Sequence, residues 1–379
     1  MKYTVSKEAD KKIEEDVNIL TQIILKKISP RAIVLFGGFG HGGGSFRKIG
    51  KKIIPLNDYD MYVVVNNKIK EKEIKELEIE CSKAIKRGGK EIVRDFNEKY
   101  DINQFFHVDL HFLEFGKLKK LYPTQRIYDL KTSLVVFGDK NILENIPEVK
   151  IPKSDAIRLL FNKLNHFAIA EENSEIIKSI YAVKGFTDLC SAFLIFEGKY
   201  VSRYQERKKV FQSLNVPEEL KGLVSKATRA KLYNGYFVGG DIEEFFEKSK
   251  KWVEWGLMNL LRFYLKINSG NWKEICRIVY KKLPYVYFND YLKNRYLFFG
   301  QYYLNIKFFL LGMREKENLT RVLLRWRDAG LIIALALILY SFNEKEESKR
   351  YLRKLTGKLY PLKDRILKLY SLYYLQKLI

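Results

Sequence analysis

At 379 residues the chain is too long for one ordinary domain, and with 47% hydrophobic and 30% charged residues it is globular rather than disordered. Its 69 Lys and Arg against 45 Asp and Glu leave a net charge of +24, which invites polyanions such as nucleic acid, nucleotides or a membrane surface, although a lysine-rich surface serving solubility gives the same count. Cys81, Cys190 and Cys276 stand far apart without paired spacing, which argues against a zinc site or disulfide frame and suits a reducing, cytoplasmic setting.

The opening MKYTVSKEADKK lacks the apolar core of a signal peptide. Residues 6–28 carry Ile13, Val17, Leu20, Ile24 and Ile28 at helical spacing, and Ser29-Pro30 stops the helix. Ala32–Phe36 reads as a strand. Residues 37–50 then hold seven of the chain's 23 glycines. Glycine lets a backbone take positive φ and approach a ligand closely; the competing reading is an ordinary surface loop.

Pro55-Leu56-Asn57 leads into a second strand, Asp58–Val65. Alternation puts Asp58, Asp60 and Tyr62 on one side and Tyr59, Met61 and Val63 on the other. A lone D-x-D also fits an exposed strand end or a turn; its place after a strand-Gly-Gly loop and before VVV gives it weight. Residues 68–88 form a charged helix with Ile74, Leu77, Ile79, Cys81 and Ile85 available for burial, ended by Gly88-Gly89. His107–Leu113 is a third strand on which His107, Asp109 and His111 share a face. That face either joins Asp58 and Asp60 in a three-carboxylate site or points at solvent. Ser133–Phe137 is a further short strand, and 145–153 reads as a linker.

Beyond Ser154 strand signals stop. Helices are expected near 154–172, 174–198, 203–213, 217–231 and 241–268, then near 286–313, 318–342, 344–356 and 361–378. Ser154 and Asp155 are candidate caps for the first. The longest apolar run, Gly330 to Phe342, is shorter than the roughly 20 residues a bilayer crossing needs, so it reads as a buried helix and no membrane partner is expected. Residues 1–150 carry 28 basic and 22 acidic side chains, a surplus of 6; residues 151–379 carry 41 and 23, a surplus of 18. Aromatics interleave with these cations, as at Tyr285–Phe288 and Tyr302-Tyr303. They can stack bases, but at helical spacing they are more often core.

The glycine loop and aspartates fit phosphoryl-group chemistry, which needs anion neutralisation and alignment more than a special side chain. Mg2+ or Mn2+ wants a few hard oxygen ligands, which two carboxylates from one strand and a third from its neighbour supply. Loop amides near Gly37–Gly40 can hold phosphates. No G-K-[S/T] closes the loop, so it is not a Walker P-loop, and no helix follows as in a dinucleotide-binding G-x-G-x-x-G.

The segment LFGGFG…NDYDMYVV followed by HVDLHFL resembles the polymerase-beta-type nucleotidyltransferase superfamily, whose signature is a strand, Gly-Gly or Gly-Ser, Asp-x-Asp on the next strand and a third carboxylate on a later one. Gly37 and Gly38 match the first part, Asp58 and Asp60 the second, and Asp109 the third. More narrowly, GFGHGGGSF…PLNDYD, YDLKTSLVVFGDKNILENIP, FNKLNHF and KGFTDLCSAFLIFEGKYVSRYQER are similar to a group of prokaryotic nucleotidyltransferase-like proteins with a helical C-terminal region; the chain beyond about residue 210 has no such likeness. The resemblance implies an α+β N-terminal nucleotidyltransferase domain, a mixed sheet with flanking helices, over 1–150. An all-α region follows, made of a closing helical domain over 151–268 and further helices over 269–379. It implies that Asp58 and Asp60 bind both metals, that Asp109 completes one metal site and helps deprotonate the acceptor hydroxyl, and that Gly37 and Gly38 receive the triphosphate. Lys184, Tyr200, Tyr204 and Arg207 are nucleotide partners by the same argument, with an ordinary solvated lysine the alternative for Lys184.

Three departures stand out. Gly38 replaces the serine of many relatives, with Ser45 a substitute phosphate-binding hydroxyl. The longer spacing to Asp58 implies an inserted hairpin over the site. His107 and His111 flank Asp109 and are expected to act behind the ligands or to tune metal choice. The function expected is transfer of a nucleotidyl group from an NTP, with release of pyrophosphate, to a small molecule or sugar, an RNA end or a protein; the basic helical part favours RNA or another polyanion. The alternative is a nucleic-acid-binding or regulatory protein on a catalytically retired fold.

Overall fold

Ser6 accepts a hydrogen bond from the Ala9 amide, and Glu8 and Asp10 favour the positive end of the helix dipole, so α1 (Lys7–Lys27) starts where the sequence caps it. Its stripe of Ile13, Val17, Leu20 and Ile24 is buried against a sheet. The computed structural model describes residues 2–88, 106–281 and 329–356. The helices expected near 286–313 and 361–378, and the start of that near 318–342, lie outside the described residues.

The sheet is mixed and has the order β5-β4-β1-β6. β1 (Ala32–Leu35) pairs antiparallel with β4 (Tyr59–Val65) and with β6 (Leu134–Gly138), while β5 (Val108–Glu114) runs parallel to β4. All four residues of β1 are buried because it is central and covered on both faces. One face carries Ile33, Leu35, Tyr59, Met61, Val63, Val108 and Leu110, packed with α1 and α3 (Glu71–Ala84). The other carries Ala32, Val34, Tyr62 and Val64 against Leu118, Leu130, Ile142 and Ile146. Strand alternation thus sorts β4 as the sequence implies, with Tyr62 on one side and Tyr59, Met61 and Val63 on the other.

Between β1 and β4 lie the four-residue turn of helix α2 (Gly37–Gly40) and a hairpin of β2 (Phe46–Ile49) and β3 (Lys52–Pro55), the insertion the long spacing implies. Gly50 turns the hairpin at φ +58°, a value glycine takes without strain. A short helix, α4 (Gln125–Lys131), has no counterpart in the sequence reading; Thr124 caps it and its Gln125 amide is bonded to Asp155. Asp155, in the first turn of α5 (Lys153–Ala170), thus serves the start of α4 as well.

The remaining helices are α6 (Glu175–Phe196), α7 (Tyr204–Gln212), α8 (Glu218–Tyr233), α9 (Ile242–Leu265), α10 (Ala329–Ser341) and α11 (Lys345–Thr356). The chain forms two compact units: Met1–Ala156 with Asn173–Ser249, and Ile157–Glu172 with Lys250–Ile379. The first holds the sheet together with α6, α7 and α8. In the second, α10 is buried as its composition implies, with Ser348 of α11 bonded to the Ala336 carbonyl and Trp272 stacked on Phe342. Among the described residues one helix, α6, has the length and composition of a membrane span, and most of it is buried within the fold. The three cysteines are free and buried.

Candidate active site

Parallel pairing of β4 and β5 sets Asp60 directly beside Asp109 and Tyr62 beside His111. The register follows from the apolar partners on the opposite face, Met61 beside Leu110 and Tyr59 beside Val108, since a one-residue slip would turn every one of them outward. Asp58 stands one residue before β4. Its Oδ1 accepts the His107 amide at 3.0 Å, and the Tyr59 amide bonds to the His107 carbonyl at 2.9 Å, which fastens the two strand starts together. Of the three aspartates expected to meet, Asp60 and Asp109 stand side by side, and Asp58 is turned to His107 within electrostatic reach of Asp60. Burial and then the charges of Asp109 and Asp58 push the Asp60 carboxyl up to about 7, against partial relief from Arg126 and His107.

The histidines lie among the carboxylates. His107 Nδ1 is 3.3 Å from Asp58 and its Nε2 is 3.2 Å from Asp109. His111 Nε2 lies 4.0 Å from Asp60 and 2.7 Å from the Arg126 guanidinium, which also donates to the Tyr62 hydroxyl. Asp60, Asp109 and His111 each offer one ligand atom within 4.8 Å of the others.

The glycine turn closes over this end of the sheet. Gly37 has φ +67°, and a Cβ there would stand 2.7 Å from Asp60 Oδ2. A Cβ on Gly38 would press on the Asn57 amide at 3.1 Å. In so short a helix the amides of Gly37, Gly38 and Phe39 have no intrahelical acceptor. Asn57 also accepts the Ser45 amide at 2.7 Å, so one side chain joins the turn, the hairpin and the segment entering Asp58.

Ser45 is fully buried; its hydroxyl neighbours the Tyr236 phenol but makes no hydrogen bond of proper geometry. Around them gather two lysines. Lys231, 3% exposed, donates to the Tyr236 hydroxyl at 2.9 Å and lies 4.7 Å from the centre of the Tyr204 ring. Burial pulls its ammonium down, but Tyr204 and Tyr236 outweigh that and leave it raised. Lys184, 6.0 Å from the Tyr181 ring centre, is raised in the same way, against burial, by Tyr236 and then Asp58. Burial raises the Tyr236 phenol, and Lys231 and Lys184 more than reverse the effect. Tyr236 holds this position at φ +68°, a left-handed conformation costly for a bulky side chain. Two like charges around one phenol, one buried and one half-buried, with a strained tyrosine and an idle hydroxyl, make an environment suited to an anion.

Tyr200 and Arg207, named as nucleotide partners from the sequence, are committed elsewhere. Tyr200 donates to Asp129; Arg207 bonds the carbonyls of Val201 and Ser202 and the Ser191 hydroxyl and lies 3.7 Å from Asp129. Tyr204 lies between Arg207 and Lys231, and Gly43 leaves room for its ring. Sequence reasoning did not find Arg126, Asn57, Lys231, Tyr236 or His41. Asn57 and His41 lie in the segments quoted above but have no signature role there, and Arg126, Lys231 and Tyr236 lie outside them; only the tertiary fold brings them to the site. His41 holds the turn from behind, its two ring nitrogens lying 2.9 Å from the Gly37 carbonyl and 2.8 Å from that of Asp129.

No family model matches the chain, and no curated protein matches its sequence.

Proposed function

We propose that the protein is a metal-dependent nucleotidyltransferase. The observation that carries this reading is the in-register pair Asp60–Asp109 under a glycine turn, with the half-buried Lys184 within electrostatic reach of Asp58. Asp60 and Asp109, with Asp58 at the edge, would hold divalent cations, which when bound supply Lewis acidity and neutralise phosphate charge. The amides of Gly37 and Gly38, which have no intrahelical acceptor, with Lys184, Lys231, Tyr236 and Ser45, would take the phosphates of an NTP. Arg126 adds a fixed cation beside Asp60. Asp109, the carboxylate farther from the glycine turn in chain terms, would accept the proton of the attacking hydroxyl; the new P–O bond forms at the α-phosphorus as the α–β anhydride bond breaks and pyrophosphate leaves. The acceptor class favoured by the surplus of 18 positive charges over residues 151–379 is a polyanion such as RNA.

The test is incubation of the full chain with each α-labelled NTP, Mg2+ or Mn2+, and separate RNA, protein and small-molecule acceptor fractions. Label should enter one fraction with wild type and not with Asp58→Asn, Asp60→Asn or Asp109→Asn. Equal labelling by wild type and all three variants would remove the proposed mechanism.

A further inference from the structure

His111 follows Asp109 by two residues on β5 and so projects from the carboxylate face, in register with Tyr62. A guanidinium only donates, so the 2.7 Å approach of Arg126 identifies Nε2 as the lone-pair nitrogen of the ring. Nε2 stands 4.0 Å from Asp60 Oδ1, just under the roughly 4.2 Å that two ligands on opposite sides of one ion span at bond lengths of about 2.1 Å. Gly37 keeps Asp60 Oδ2 open where any Cβ would stand 2.7 Å away. Asp58, by contrast, is turned to the His107 amide and ring and lies outside the group that converges within 4.8 Å.

We propose that the primary cation of this centre is held by Asp60, Asp109 and Nε2 of His111, which makes it a nitrogen-accepting ion of the Mn2+ or Co2+ class in place of Mg2+. The inference rests on the metal-dependent reading above and adds the identity of the third ligand and of the ion. Magnesium prefers oxygen and gives up water reluctantly, whereas imidazole suits the later divalent ions. Arg126 then has a second role. It occupies the histidine nitrogen in the metal-free protein as a tethered cation, and the incoming ion must displace it. Its anchor on the Tyr62 hydroxyl keeps the displaced guanidinium at the site.

The test uses the full chain, stripped with chelator and reloaded with Mn2+ alone. Electron spin-echo modulation should report one imidazole nitrogen coupled to the bound ion in wild type and none in His111→Gln. Titration should show Mn2+ binding at least tenfold tighter than Mg2+, a preference that shrinks in His111→Gln. Arg126→Met, which leaves every ligand in place, should tighten Mn2+ severalfold. Circular dichroism confirms that each variant is folded. If Mn2+ binds in an Asp60-dependent way with no nitrogen coupling, His111 is not a ligand, yet the transferase reading survives. If neither ion binds at millimolar concentration, or Mn2+ binding ignores Asp60→Asn, both proposals fall.

Discussion

A charged carboxylate that is buried and set beside two others costs the metal-free protein stability, and Asp60 shows this in its displacement to about 7, by burial first and then by Asp109 and Asp58. The sign follows from linkage. A carboxyl raised in the folded state supports folding below its unfolded value of about 4, and that support is lost as pH rises through 7. Metal-free wild type should therefore melt lower at pH 8 than at pH 6. Asp60→Asn should remove most of that difference and raise stability at pH 8 by about 1–2 kcal/mol, a figure reduced for the partial exposure of the side chain. Differential scanning fluorimetry in chelator across pH checks both; a lower melting point for the variant at pH 8 contradicts the repulsion. The same residue scale explains Gly37. It needs φ +67° and no Cβ against Asp60, so Gly37→Ala should cost roughly 1–3 kcal/mol and weaken Mn2+ binding as well. Chemical denaturation and metal titration of one variant separate the two effects. Asp58, Asp60, Asp109 and Gly37 were readable in the sequence because strand alternation and glycine clustering are local signals. Arg126 was not, because only the packing of α4 beside β5 gives it meaning.

Elements, unlike residues, acquire partners only through the fold. Strands β1 and β4 were legible as apolar runs next to Gly, Pro or Asn, β5 by its alternation of polar and apolar residues, and α6 to α9 by their apolar spacing. The spacing does not say which helices pack on the sheet: Asn173–Ser249 counts with it, while Ile157–Glu172 and Lys250 onward form the other unit. The anion pocket shows the consequence. Lys184 comes from α6, Lys231 from α8, Ser45 from the turn into the hairpin and Tyr236 from the loop after α8, and nothing in their sequence spacing relates them. Among the described residues, Lys231 is buried with a phenol oxygen and aromatic faces against its ammonium. Lys231→Met should cost the ligand-free protein about 1 kcal/mol, since the phenols that outweigh the burial of its ammonium lose their cation. Pyrophosphate should raise the melting temperature of wild type and leave that of Lys231→Met unchanged. A variant that loses stability and still responds to pyrophosphate would make the lysine a structural prop.

At the scale of the whole chain the charge is divided unequally, with 18 of the 24 net positive charges beyond residue 150. A solvated lysine-rich surface and a polyanion-binding surface share that count and differ in salt response. Neutralising phosphates releases condensed counterions, so the logarithm of affinity falls with the logarithm of salt at a slope of about 0.7 per phosphate on a single strand. Single-stranded RNA should therefore bind the full chain with a slope of several units. The slope should be kept in Asp60→Asn, because that change touches the reacting end and not the basic helices. It should fall by about 0.7 for each productive lysine or arginine replaced on residues 151–379, which assigns the contact residue by residue. Fluorescence anisotropy from 50 to 300 mM salt reads all three quantities. An affinity independent of salt, or absent at the lowest concentration, would return the charge to solubility and leave a small acceptor for the same carboxylates.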